Sequence, residues 1–173
     1  MQRPEELEHR VIGLTIGNAA TAWLLSRRPH AGGCVRLLGA ESHALPRHWD
    51  LCQAPIDGAF TSNSRELNEL TVHVAPVVRR VIEAVGWSVD QVDHFVAHQP
   101  SDQMNRQVLQ DLGADPARTL GTHHLYGNTA STAVALNMHE LLEQRGVEAG
   151  DRMIFSSAAA GFSVVTLAGV WQA

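Results

Sequence analysis

Apolar positions along the chain change their period several times, and each change marks a candidate element. Val11 to Ile16 and Thr21 to Ser26 are short apolar runs around the small-residue break Gly17-Asn18-Ala19-Ala20. That pattern predicts a strand with a tight bend, or a hairpin. Val35 to Leu38 is a further short strand candidate. Pro46 to Asn63 mixes Pro, Gly, Asp, Ser and aromatic residues with no period, which predicts an irregular loop. Leu67, Leu70, Val74, Val77, Val78, Val81, Ile82 and Val85 then recur at the steps of one helical face. Pro76 lies inside this run and predicts a kink or a split.

Asp93 to His98 is short and apolar enough to be a buried strand. Asp102 is expected to cap a helix bearing Met104, Val108, Leu109 and Leu112, with Gly113 closing it. Ser131 or Thr132 opens another, with Val134, Met138, Leu141 and Leu142 on one face and Gly146 past its end. Met153 to Ser156 and Ser163 to Trp171 read as two closing strands around the small-residue run Ser157 to Gly161. Helices and strands alternate through this half, which argues for a layered α/β domain.

Composition narrows the class. The 173 residues suit one domain, and 45% hydrophobic content supplies a sizeable core and excludes disorder. Charged residues are 18%, below the roughly 25% of a typical soluble domain. The deficit points to surface that a partner covers. A net charge of -5 without a basic stripe argues against nucleic-acid binding. Cys34 and Cys52 form no disulfide framework and show no CxxC spacing. Residues 1–10 read as a polar leader with no signal-peptide core, and no apolar stretch approaches the roughly 20 residues of a membrane span. The expectation is a cytoplasmic domain over residues 11–173, without membrane or nucleic-acid partners.

Several familiar chemistries lack their motifs: there is no G-x-S-x-G elbow, Walker A loop, G-x-G-x-x-G after a strand, or H-E-x-x-H. Ten histidines raise the question of zinc, with His94 and His98 four apart and His123 and His124 adjacent. On a strand, however, four residues span roughly 13 Å, too far for two ligands of one ion. No metal site is expected. His98 ends the strand and precedes a turn into a helix, where open α/β sheets place ligands. A structural histidine bonded to a backbone carbonyl is the equal alternative. In Tyr126-Gly127-Asn128-Thr129-Ala130-Ser131, Asn128 is either a site residue or an Asx-turn at a helix entry. The turn from Ala158 to Gly161 is either a close-approach site for an oxyanion or a plain tight hairpin.

Taken in order, these segments resemble the C-terminal half of β-ketoacyl-acyl-carrier-protein synthase III, a thiolase-fold condensing family. His98-Gln99-Pro100-Ser101 resembles the family's His-Gln-Ala-Asn, and Tyr126 to Ser131 its Tyr-Gly-Asn-Thr-Ser. Ser157 to Phe162, followed by a strand ending at Trp171, is similar to its glycine-rich closing turn and last strand. Gly17 to Ala22 is similar to its Gly-Asp-Gly-Ala-Gly-Ala bend, and Gly150-Asp151 also fits. The likeness implies a layered thiolase-like half, a mixed sheet with helices, carrying the last strand of the preceding half and incomplete without a partner half.

The resemblance also implies a chemistry. A cysteine accepts an acyl group from coenzyme A, malonyl carrier protein loses CO₂, and the enolate attacks the thioester. His98 and Asn128 would hold the malonyl thioester carbonyl, and backbone N–H groups near Ala160 and Gly161 the condensation oxyanion. Gln99, Pro100, Ser101, Gly127 and Phe162 would contact substrate. No cofactor is implied, coenzyme A and phosphopantetheine thioesters being substrates. The family's nucleophile lies in the preceding half, so Cys34 reads as a small buried hydrophobe and Cys52 as a loop thiol. The expected partners are a cysteine-bearing N-terminal-half chain or a complete synthase, and an acyl carrier protein, in a hetero-oligomer. Two alternatives are acyl transfer to an oxygen or nitrogen acceptor without decarboxylation, and a non-catalytic partner-stabilising subunit or truncated chain. Ala-Ala-Gly in the closing turn, and Ser101 and Asp102 after His-Gln, depart from the family pattern.

Overall fold

The computed structural model describes residues 12–173; the polar leader and Val11 lie outside them. A single 3-10 turn, Ile12–Thr15, opens the described chain. The regular elements follow as β1 (Cys34–Ala44), β2 (Cys52–Gln53), β3 (Thr61–Ser62), α1 (Ser64–Leu70), α2 (Val74–Ala84), β4 (His94–Ala97), α3 (Asp102–Leu112), α4 (His123–Tyr126), α5 (Ala133–Gln144), β5 (Arg152–Ala159) and β6 (Ser163–Gln172).

Strands β1, β6, β5 and β4 form one mixed sheet in that order. The first three run antiparallel to their neighbours, and β4 pairs with β5 in parallel. Helix α2 presents Val77, Val78, Val81 and Ile82 to one face of the sheet, where they meet Phe95, Ile154, Val164 and Ala168 beside Leu109 and Leu112 of α3. The alternation of side chains along a strand sends the next residues to the opposite face. There Val96, Met153 and Phe155 pack against Met138 and Leu141 of α5. Helix α5 covers only the β4–β5 side of this face. Leu37 of β1 and Val165 of β6 remain 49% and 48% exposed on the other side.

The helical run over Leu67 to Val85 is divided, as Pro76 requires, by a 3-10 turn at Thr71–His73. Pro76 then falls in the first turn of α2, where its missing N–H would have had no helical acceptor. Helix α3 is capped one residue earlier than expected. Ser101, not Asp102, accepts the Met104 N–H at 3.2 Å, because its extended backbone aims the hydroxyl into the first turn. Gly113 closes the helix in the left-handed conformation at φ 70.

Over the described residues 12–26 the expected strand or hairpin is not formed. Ile16 makes one isolated bridge to Asn128, and no strand occurs from Gly17 to Ser26. A strand needs a continuous neighbour for its N–H and C=O groups, and along this segment the described sheet offers none. The segment is instead exposed, with Trp23 turned edge-on to Phe155 at 6.3 Å on the α5 side of the sheet. The irregular stretch Pro46 to Asn63 contains a 3-10 turn, Pro46–His48, and the two-residue pair β2–β3. The closing turn is tighter than Ser157 to Gly161, since Ser157 to Ala159 still pair with Val165 to Ser163. Cys34 is half-buried rather than buried, because it begins the edge strand β1 opposite Gln172.

Candidate active site

His98 directly follows β4, and its N–H extends the parallel ladder by donating to Ser156 O at 2.8 Å. This fixes the backbone at the C-terminal edge of the sheet. The ring then spans two elements: Nδ1 lies 2.9 Å from Ala158 O on β5, and Nε2 lies 3.0 Å from Asn128 Oδ1. A carbonyl oxygen only accepts, so the Nδ1 proton points at Ala158.

Asn128 is held by its backbone and its side chain together. Its N–H donates to Thr15 O at 2.8 Å, and its carbonyl accepts the Gly17 N–H at 2.9 Å. Its Oδ1 accepts the Ala130 N–H at 2.9 Å. That bond identifies the amide oxygen and directs the amide NH₂ away, and among the described residues the NH₂ makes no hydrogen bond. Ala130 adopts φ 50, the only positive φ outside glycine among the described residues. Strain of this kind is stored where surrounding structure enforces it. Both His98 nitrogens therefore face oxygen atoms, Ala158 O on one side and Asn128 Oδ1 on the other.

The remaining predicted residues divide. Ala160 is exposed in the β5–β6 turn and Gly161 follows at φ 102, one strand end away from the His98 ring. Pro100 is half-buried after His98, and Gly127 ends α4 immediately before Asn128. Ser101 is engaged as the α3 cap. Gln99 and Phe162 are each only 2% exposed, so neither contributes a lining surface in this chain. Phe162 faces the core because its backbone is locked to Leu45 by reciprocal bonds of 2.7 and 3.2 Å. Gln99 turns inward to Leu120 O and the Thr122 N–H.

Cys34 lies at the end of the sheet opposite His98, since β1 begins against Gln172 while Ala44 meets Ser163. Cys52 starts the β2–β3 pair, with Sγ 3.3 Å from Ser62 Oγ. Neither stands at a strand-to-helix elbow. Among the described residues no three His, Cys, Asp or Glu side chains converge as metal ligands, and His94 pairs with Asp151 at 3.0 Å. None of the described helices is long and apolar enough to cross a membrane. Thr122 and Asn137, which adjoin the site, carried no local sequence signal: both are ordinary polar residues whose meaning depends on distant partners.

A mixed sheet with helices on both faces gives the chain a layered, thiolase-like α/β fold. Residues 82–171 match the 3-oxoacyl-[acyl-carrier-protein] synthase III C-terminal family, and the chain belongs to it. It is 24% identical over 167 residues to the acyl-CoA:acyl-CoA alkyltransferase of Xanthomonas campestris, covering 96% of this chain and 49% of that protein. It is 29% identical over 114 residues to β-ketoacyl-[acyl-carrier-protein] synthase III of Gloeobacter violaceus, covering 65% of this chain and 35% of that protein. In three dimensions it resembles cerulenin-bound OleA of Xanthomonas campestris, with TM-score 0.81 and 20% identity over 98% of this chain and 49% of that one. FabH of Pseudomonas aeruginosa gives TM-score 0.75 and 23% identity over 79% of this chain and 44% of that one. The chain thus spans about half or less of the length of these relatives.

Proposed function

We propose that this chain supplies the enolate-binding half of a ketoacyl synthase III-like condensing enzyme, with the nucleophilic cysteine carried by a separate cysteine-bearing half. The observation that carries this reading is the His98–Asn128 pair, 3.0 Å apart at the sheet edge, with the asparagine NH₂ directed outward. A thioester carbonyl oxygen lodged beside the pair, against the outward NH₂, would accept from Asn128 Nδ2–H, and from His98 Nε2–H once Nε2 releases Asn128 Oδ1. When the malonyl carboxylate C–C bond breaks, CO₂ leaves and the electron pair passes to that oxygen as an enolate. Donors aimed at a developing oxyanion lower the barrier by stabilising the charge that forms there. The enolate carbon then attacks the acyl thioester on the partner's cysteine, which departs as thiolate. The N–H groups at Ala160 and Gly161 are the candidate donors for that second oxyanion.

The missing half is supported by exposed apolar surface. Leu24 and Leu25, 84% and 82% exposed, lie on a segment without strand neighbours, and Leu37 and Val165 lie uncovered on the sheet face beside α5. Large apolar side chains left exposed in this way are the kind that interaction surfaces use. Carrier-protein or coenzyme A thioesters are the proposed substrates.

The test begins by purifying the tagged chain from its own cells and identifying what accompanies it. The reading expects a chain with a cysteine at a strand-to-helix turn, and release of labelled CO₂ from malonyl thioester by the pair. Asn128→Asp replaces the outward donor with an acceptor and should slow that release by about 10²-fold or more. Recovery of the chain alone and inactive, or undiminished CO₂ release by Asn128→Asp, overturns the proposal.

A further inference from the structure

His98 sits at the midpoint of a closed circuit of buried hydrogen bonds. The residue before it, Ala97, has its carbonyl bonded by the Asn137 amide NH₂. The residue after it, Gln99, donates from Nε2 to Leu120 O at 2.6 Å and accepts the Thr122 N–H on Oε1 at 3.0 Å. The Thr122 hydroxyl closes the circuit by bonding Asn137 Oδ1. Gln99, Thr122 and Asn137 are 2%, 5% and 2% exposed, so no solvent competes for these groups. Outside the circuit, His123 Nδ1 contacts the Gln99 carbonyl at 3.1 Å.

The circuit also reaches Asn128. Thr122 immediately precedes α4, that single turn ends at Gly127, and Asn128 follows. The two partners of the 3.0 Å contact therefore stand on backbones tied to the same buried threonine, His98 through its two chain neighbours and Asn128 through one helical turn. A fully satisfied buried polar network rigidifies what it joins, because each group that moves would leave a partner unbonded in a low-dielectric interior.

We infer that Gln99, Thr122 and Asn137 are positioning residues that set the separation of His98 from Asn128. The inference rests on the proposed function only for its catalytic consequence; the geometry itself can be read without turnover. Thr122→Val keeps the shape of the side chain and removes the hydroxyl, and Asn137→Leu does the same for the amide.

The readout is the pair of His98 ring ¹⁵N resonances in the full chain. They are assigned by their loss in His98→Gln, with Asn128→Ala as the reference for a broken contact. Thr122→Val and Asn137→Leu should each move the His98 Nε2 resonance toward its Asn128→Ala position, and Thr122→Ser should restore it. Ile82→Val, a core change away from the circuit, should lower the melting temperature while leaving those resonances in place. If Thr122→Val and Asn137→Leu lower the melting temperature yet leave the His98 signals at wild-type positions, the circuit is structural and the inference fails. Should Asn137→Leu not fold, Thr122→Val alone decides. Absent condensation activity with the expected resonance shifts would overturn the proposed function and leave this inference standing.

Discussion

Gly17 and Gly127 cross so closely that neither tolerates a side chain. A Cβ on Gly17 would lie 1.8 Å from Tyr126 O, and one on Gly127 would lie 2.4 Å from Thr15 O. This approach allows Asn128 to exchange backbone bonds with Thr15 and Gly17, and so fixes the asparagine from the far side of the site. Gly127 additionally adopts φ 67 and ψ -159, a region open essentially to glycine alone.

Gly127→Ala should therefore destabilise the chain by about 1–3 kcal/mol through backbone strain, before the cost of the clash. It should also break the contact between Asn128 and His98. Urea unfolding measures the first effect, and the His98 ring resonances report the second. Unchanged values for both would show that the crossing is looser in solution.

Tyr126 is the only tyrosine in the chain, so its ionisation can be followed by phenolate absorbance without interference. Its hydroxyl donates to Glu140, and this bond, with lesser help from desolvation and the carboxylate charge, raises the phenol above its ordinary 10.0. The same bond, with Gln144, holds Glu140 below its ordinary 4.5. The raised phenol contributes stability that is complete below 10.0 and lost as pH rises through its folded value. The lowered carboxyl contributes stability that is present above 4.5 and lost as pH falls through its folded value. The contact thus operates between those limits. Glu140→Gln should lower the tyrosine midpoint, and an unmoved midpoint would exclude the contact.

Ser101→Ala removes the α3 cap and should cost about 1 kcal/mol, while Ser101→Asp should retain most of the stability. Chemical denaturation of the three chains distinguishes this capping role from one confined to substrate contact, for which stability would not change.

Leu24→Asp with Leu25→Asp should leave the melting temperature of the isolated chain nearly unchanged, because both side chains already stand in water. The same change should abolish recovery of the proposed partner half in co-purification. Full recovery would place the docking surface elsewhere.

The elements with strong local periodicity were legible in the chain. The α2 face, the buried β4, the paired closing strands and the break near Pro76 all follow from apolar spacing and proline stereochemistry. The run from Val11 to Ser26 misled because strand-like composition states a preference for pairing, and pairing needs a neighbour that only the assembled chain, or a second one, can provide. Gln99 and Phe162 were recognisable as parts of motifs, but their direction was not: whether a side chain meets a cleft or the core depends on the packed elements around it.

By itself, the sequence determined the buried face of α2, the presence of β4 and the two closing strands, and which short motifs would carry His98 and Asn128. These depend on interactions within a few residues. The tertiary structure alone decided that Asn128 Oδ1 meets the His98 ring across 30 residues of chain, and that Thr122 and Asn137 bind the strand end beneath it. Hydrogen bonds between distant residues leave no period or local pattern in a sequence, because either partner could bond elsewhere until packing removes the alternatives.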